Sequence, residues 1–424
     1  MTNATVPMME RLRAETREIH ARLEALPFFN ALQEGLLARS AYVAFLEAMA
    51  PIHDALEQAA SRAPAPLLAA CWNDVLRRRP LLEQDLVHFQ AERTGTLSRP
   101  LLHAIILAEE LALRERRDPT SLLGSLYVLQ GSALGGLVLR PMVARSFGLD
   151  GTDGLAYLTG NAKQTMGIWT AFTTALNAAV QDPALQQRVV DAAIEAFEGM
   201  EQVVLALFPL ITESGDALGT TLNPEAGSHA IPDDPREIRA ALRAGVRSWE
   251  RFPYYEWRYS RRGRRYTRSD SAWLVTLAAW PQEVVDRNIE WLGHVLAARG
   301  MPRWLLEMHL IMLHDELAGA VPERQNEYGR LLAAADHLHR QRHAAIAEDL
   351  WHTLATGFAA AVGEEWISRL PESGNLLIAA VADERAGVTN AVSSLEPWMI
   401  EPGRFPAHWI AAVHHLLAEA YKSS

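Results

Sequence analysis

His20 stands in the run Arg13-Ala-Glu-Thr-Arg-Glu-Ile-His-Ala-Arg-Leu-Glu24. On a helix it falls at the edge of an apolar stripe, beside Ile19 and one turn before Leu23. A histidine so placed is either a half-buried structural side chain or an iron ligand. Arg13 and Arg17 precede it by two turns and one, and guanidinium groups match carboxylate geometry in bidentate pairs. The second stretch of interest is Leu126–Gly136, Leu-Tyr-Val-Leu-Gln-Gly-Ser-Ala-Leu-Gly-Gly. Apolar residues at 126, 129, 133, 134 and 137 give it a helical period. Yet Gly131, Gly135 and Gly136 each cost about 1 kcal/mol against alanine in a helix interior. Such glycines suit small-residue packing of helix on helix, a bend, or backbone laid close to something flat and bulky. The stretch alone leaves these readings open.

Other polar groups carry less. His309, His314, Asp315 and Glu316, and separately His337, His339 and His343, form loose constellations. His309 and His314 do not share a helical face, no His-Glu-x-x-His occurs, and His339 with His343 lacks a third ligand nearby. These read as surface histidines. The lone Cys71 lies in an apolar run and reads as a small buried hydrophobe in a reducing compartment.

The elements that must position these residues are helices. In the first half, Met8–Leu26, Ala41–Ala60, Pro66–Gln90, Leu101–Arg116, Leu122–Phe147, Gly154–Val180 and Pro183–Phe208 all show helical patterning. Residues 212–235 crowd Gly, Ser, Thr, Asn and Pro without period and read as a linker between domains 1–211 and 236–424. Asp234-Pro235-Arg236-Glu237 then offers an N-cap, a first-turn proline and an acidic N3. The expected class is all-α, two helical domains in series. The exception is Trp249–Arg268, where Tyr255, Trp257 and Tyr259 alternate before an arginine-rich turn, as in a short hairpin or irregular loop. A formal net charge of −11 argues against general attraction to nucleic acid or anionic membrane. No signal-peptide pattern and no uninterrupted apolar span of membrane length is visible, so a cytoplasmic location is expected.

With Thr16-x-x-x-His20 and Leu23-Glu24 in place, the first half resembles the haem oxygenases, of the bacterial biliverdin-producing type. The similarity continues through Phe29-x-x-x-Gln33-x-Gly35, Tyr42, Ala55-Leu56-Glu57, Leu82-Glu83-Gln84-Asp85-Leu86, the 126–136 stretch and Phe197, covering roughly 8–210. The resemblance implies His20 as proximal iron ligand and Gly131, Gly135 and Gly136 as a distal wall against the porphyrin. It implies Arg13 and Arg17 as propionate contacts, with Tyr127 and Phe197 lining the cofactor. Haem is then both cofactor and substrate, opened by O2 and electrons from a ferredoxin or similar donor to biliverdin, CO and Fe2+. Implied partners are a redox protein and a biliverdin-using photoreceptor, with an oligomer possible.

Three departures stand out. Ser132 occupies the place of a distal aspartate in mammalian members, so water would be ordered by a hydroxyl. Thr170 and Thr174 stand where basic propionate partners are expected. The chain also continues far beyond residue 210. The rival reading is a non-catalytic haem or tetrapyrrole sensor of the same fold, and a third is a helical scaffold that binds no haem. For the second half, the basic–aromatic stretch Trp249–Arg268 fits a solvated, salt-bridged turn, an anionic tetrapyrrole clasp, an acidic redox partner or single-stranded nucleic acid. A role in assembly, donor docking or product transfer is expected of this half.

Overall fold

The structure is a computed structural model of the 424-residue chain and describes residues 6–63, 65–93, 95–160, 164–211 and 215–422. Every regular element among the described residues is helical, and the chain divides into two compact units, Met1–Ser214 and Gly215–Ser424.

The first unit contains α1 (Met8–Glu15), α2 (Arg17–Glu24), α3 (Pro27–Gln33), α4 (Arg39–Arg62), α5 (Pro66–Cys71) and α6 (Arg79–His88). It continues with α7 (Arg99–Arg117), α8 (Leu122–Phe147), α9 (Ala156–Thr159), α10 (Thr165–Ala179) and α11 (Pro183–Leu205). The expected single helix over Met8–Leu26 is broken at Thr16, whose Oγ1 donates to Leu12 O at 2.7 Å. A side chain bonded back onto the preceding turn competes with the helical ladder, so α2 starts afresh with His20 in its middle. The glycine-bearing α8 spans the predicted residues and stops at Gly148, where φ +63 suits a residue without Cβ. Its stretch Pro119–Phe147 is long and apolar enough to cross a membrane, but 56% of its most apolar window is buried within the protein. It packs as a core helix, against α11 above all. That contact is set by Gly124, where a Cβ would lie 2.0 Å from Val189 O and 2.7 Å from Ala193 N. Cys71 is buried, and burial pushes its thiol up to about 11, leaving no thiolate at neutral pH.

In the second unit, α12 (Gly215–Leu222) lies inside the stretch expected to be a linker and packs its Leu218 and Leu222 inward. There follow α13 (Pro235–Arg251), α14 (Tyr254–Leu277), α15 (Gln282–Ala297), α16 (Arg303–Ala320) and α17 (Gln325–Ala345). The unit closes with α18 (Glu348–Val362), α19 (Glu364–Arg369), α20 (Ser373–Arg385), α21 (Ala391–Met399) and α22 (Ala407–Lys422). Asp234 caps α13 by accepting from Arg236 N at 2.8 Å. Glu237, however, is buried and receives Tyr328 Oη at 2.5 Å rather than closing a capping box. The hairpin expected at Trp249–Arg268 is α14, kinked at Ser260 with φ 49 and ψ −147. Tyr255, Trp257 and Tyr259 all lie in helix before the kink, with Tyr255 buried and Trp257 exposed. Of the arginines here, Arg262 pairs with Glu225 at 2.8 Å, and Arg264 and Arg265 pair with Glu256 and Glu225.

Candidate functional site

The break at Thr16 places Arg13, Arg17, His20 and Glu24 on the exposed side of the α1–α2 pair. The His20 side chain is 54% exposed, and its Nε2 faces Glu24 Oε1 at 3.6 Å, one turn on. At that distance the two form a loose pair and not a hydrogen bond. The ring meets buried Phe197 of α11 edge-on, centroids 5.5 Å apart, so α11 fixes how the imidazole stands. Arg13 and Arg17 form no hydrogen bond or ion pair among the described residues and remain available to an anion.

The outer face of α8 is uncovered. A Cβ at Gly135 would meet no atom within 4 Å, and Ser132 and Val138 beside it are exposed. A Cβ at Gly131 would lie 3.5 Å from the Trp169 ring, and Tyr127 packs tilted against the same ring, centroids 5.8 Å apart. A Cβ at Gly136 would come 3.2 Å from Leu158 O, so that glycine serves the packing of α8 on α9. Gly135 thus stands on an open face, Gly131 lies against Trp169, and Gly136 belongs to the interior.

Behind that face lies a buried polar chain that sequence reading missed. Ser132 Oγ donates to Leu129 O at 2.7 Å, and next to it Tyr157 Oη of α9 lies 3.0 Å from His53 Nε2 of α4. His53 Nδ1 faces Glu57 Oε1 at 3.3 Å, and that carboxylate accepts from Arg78 N at 2.7 Å and Arg79 N at 3.0 Å. Burial holds the His53 pKa below its ordinary value against the pull of Glu57, and burial raises that of Tyr157. Assigned from these contacts, a neutral His53 carries its proton on Nδ1 and accepts the Tyr157 O–H at Nε2. Asp85, in the Leu82–Leu86 segment, sets the geometry, since its carboxylate accepts from Ala156 N and Tyr157 N at 2.8 Å each. Burial nevertheless pushes Asp85 up to about 6. Ser132, Glu57 and Asp85 of this group carried a sequence signal, as parts of family-like segments, whereas His53 and Tyr157 did not.

The second unit corrects one histidine. His309 is buried, its Nδ1 2.7 Å from Ser248 Oγ and its Nε2 3.0 Å from Ser271 Oγ. His337 and His339 face Glu290 and Glu307 at 3.2 and 3.1 Å, and no metal-binding group of three ligands occurs among the described residues. Burial lowers the His309 pKa to about 4, so the unfolded chain takes up a proton below about 6.5 that the folded one refuses. The resulting loss of stability grows as pH falls from about 6.5 to about 4 and reaches about 3 kcal/mol. The variant His309→Gln, which keeps polar atoms for both serines, is expected to lose less stability than the parent across that window. Denaturant midpoints at several pH values check this; parallel losses in both proteins would reject it.

Residues 6–206 match the family model "Heme oxygenase". Human Heme oxygenase 1 is 26% identical over 197 residues, which are 45% of this chain and 68% of that protein. The chicken Heme oxygenase 1 is 27% identical over 225 residues, 52% and 75% of the respective chains. Among solved structures, Synechocystis heme oxygenase-1 in complex with heme has a TM-score of 0.44 at 19% identity, covering 52% of this chain and 98% of that one. The Leptospira interrogans heme oxygenase gives 0.43 at 21%, covering 47% and 99%. The first half of the chain, residues 6–206, is thus similar to the haem oxygenase family, and the family match ends there.

Proposed function

We propose that the first unit cleaves haem to biliverdin, CO and Fe2+ with O2 and electrons from a ferredoxin or similar donor. The observation that carries the reading is the uncovered helix face at Gly135 within a family-matched domain that keeps His20 exposed. The fit to haem rests on that face and on the donor set. An exposed imidazole, steadied by Phe197, would suit an iron ligand, and Arg13 and Arg17, without partners among the described residues, would suit propionates. Haem, when bound, supplies the redox chemistry and the porphyrin that is consumed.

The chain's own part is orientation and proton control. His20 would hold the iron, and Gly135 would leave the opposite face clear. Ser132 Oγ, its hydrogen given to Leu129 O, would present an acceptor oxygen at that face, and Tyr157 and His53 behind it would hold a proton at a fixed phenol oxygen. This replaces a carboxylate by a neutral hydroxyl chain anchored on Glu57. Tyr157→Phe is expected to slow single-turnover biliverdin formation by about tenfold to a hundredfold while haem affinity is kept. An unchanged rate would remove the chain from the mechanism.

The sensor reading is favoured by one observation. The hydroxyls of Thr170 and Thr174 bond back to Met166 O and Thr170 O of α10, at 2.9 and 2.8 Å, where basic anchors were expected. Titration with haemin followed by ferredoxin, its reductase and NADPH under air separates the two. A Soret band saturating at one equivalent and decaying to a red biliverdin band supports the enzyme. A persistent Soret band with competent donors points to a sensor. The downstream partner we propose is a biliverdin-using photoreceptor.

A further inference from the structure

The second unit holds a cavity of about 410 Å³, within the range of small-molecule sites. It is formed around the kink of α14. Residues on both sides of Ser260 line it, Tyr255 and Tyr259 before and Tyr266 and Asp270 after. A serine at φ 49 is strained, and such strain persists only where the surroundings impose it. Gly263 is required at the kink, because a Cβ there would come 2.5 Å from Tyr259 Cβ and 3.2 Å from the Trp249 ring.

One wall is flat and fixed. Trp249 and Tyr255 stack with centroids 5.5 Å apart at 21°, and Trp249 Nε1 donates to Thr267 Oγ1 at 2.9 Å. His309 is not free to act as a ligand, since both its nitrogens are held by serines. The uncommitted groups are different ones. The Asp270 carboxyl, the Tyr255 hydroxyl and the Arg299 guanidinium all line the cavity, and none makes a hydrogen bond or ion pair among the described residues. A carboxyl set among aromatic and aliphatic side chains is unfavourable, and the Arg299 charge, which forms no ion pair with it, offsets that only in part. Burial pushes Asp270 up to about 7. Leu292, Leu296 and Met301 complete an apolar lining.

We infer that this cavity binds a flat, conjugated ligand that offers N–H groups to Asp270 and an acidic group to Arg299, namely a linear tetrapyrrole. The stacked Trp249–Tyr255 wall receives the ring system, Asp270 accepts from ring N–H, and Arg299 meets a propionate at the rim. The choice of tetrapyrrole over other flat acids rests on the proposed activity of the first unit, whose product it is. The second unit would then take up what the first releases.

The test is biliverdin binding to the full-length chain with unreduced haemin held at the first site. Binding is read as induced circular dichroism in the red biliverdin band and as quenching of tryptophan emission. The expected result is saturable binding that weakens about tenfold or more in Asp270→Ala and in Arg299→Ala, with the Soret titration unchanged. Asp270→Asn, nearly the same shape, guards against misfolding and is expected to weaken binding less than alanine. Binding that is absent from the parent protein, or equal in parent and alanine variants, overturns the inference. Biliverdin binding that survives while haemin and reductant yield no biliverdin would leave the cavity standing and reject the first-unit activity instead.

Discussion

The variant His20→Ala is expected to lose the saturable Soret band and, with it, all biliverdin formation. The argument is one of position. The His20 side chain is half exposed and holds only Glu24 at 3.6 Å and the Phe197 edge. Removing so lightly packed a side chain changes stability by no more than about 0.5 kcal/mol. A lost spectrum therefore reports a lost ligand and not an unfolded domain, and an unchanged melting curve verifies this. Added imidazole is expected to restore part of the band by standing in the vacated space. If the Soret band and turnover persist in His20→Ala, the histidine is structural and the haem reading must find another ligand.

Much of this was legible in the sequence, because helical period is a local property. The bounds of α8 and the Asp234 cap of α13 follow from spacing and capping residues alone. What was hidden depended on contacts between distant segments. Ser132, Tyr157 and His53 meet from three helices, with 104 residues between the last two. His309 looks like a surface histidine in its own helix, and is buried because Ser248 and Ser271 arrive from elsewhere. The Tyr255–Trp257–Tyr259 alternation imitated a strand, but in the helix Tyr255 faces the core and Trp257 the solvent. Threonine 16 broke the first helix by a side-chain bond that any i−4 carbonyl permits.

Glycines show the same division most sharply, and they carry the second large prediction. Gly124 and Gly135 lie in one helix and look alike in sequence, yet the structure gives them opposite surroundings. Gly135→Leu places its side chain in open space, so the helix gains up to about 1 kcal/mol and the first unit melts about 2–4 °C higher. The same side chain covers the face proposed for haem, and affinity is expected to fall about tenfold or more. Gly124→Ala does the reverse. Its Cβ would sit 2.0 Å from Val189 O and 2.7 Å from Ala193 N, both backbone atoms that cannot rotate away. The α8–α11 contact must open, at a cost of about 3 kcal/mol or more and a melting temperature about 6–12 °C lower. Thermal melts of the two variants, paired with haemin titrations, decide the matter. A more stable Gly135→Leu that binds no haem would assign the glycine to the ligand, since packing alone would not lose function while gaining stability. A Gly135→Leu protein with full haem affinity would place haem elsewhere and remove the uncovered face of α8 as its wall.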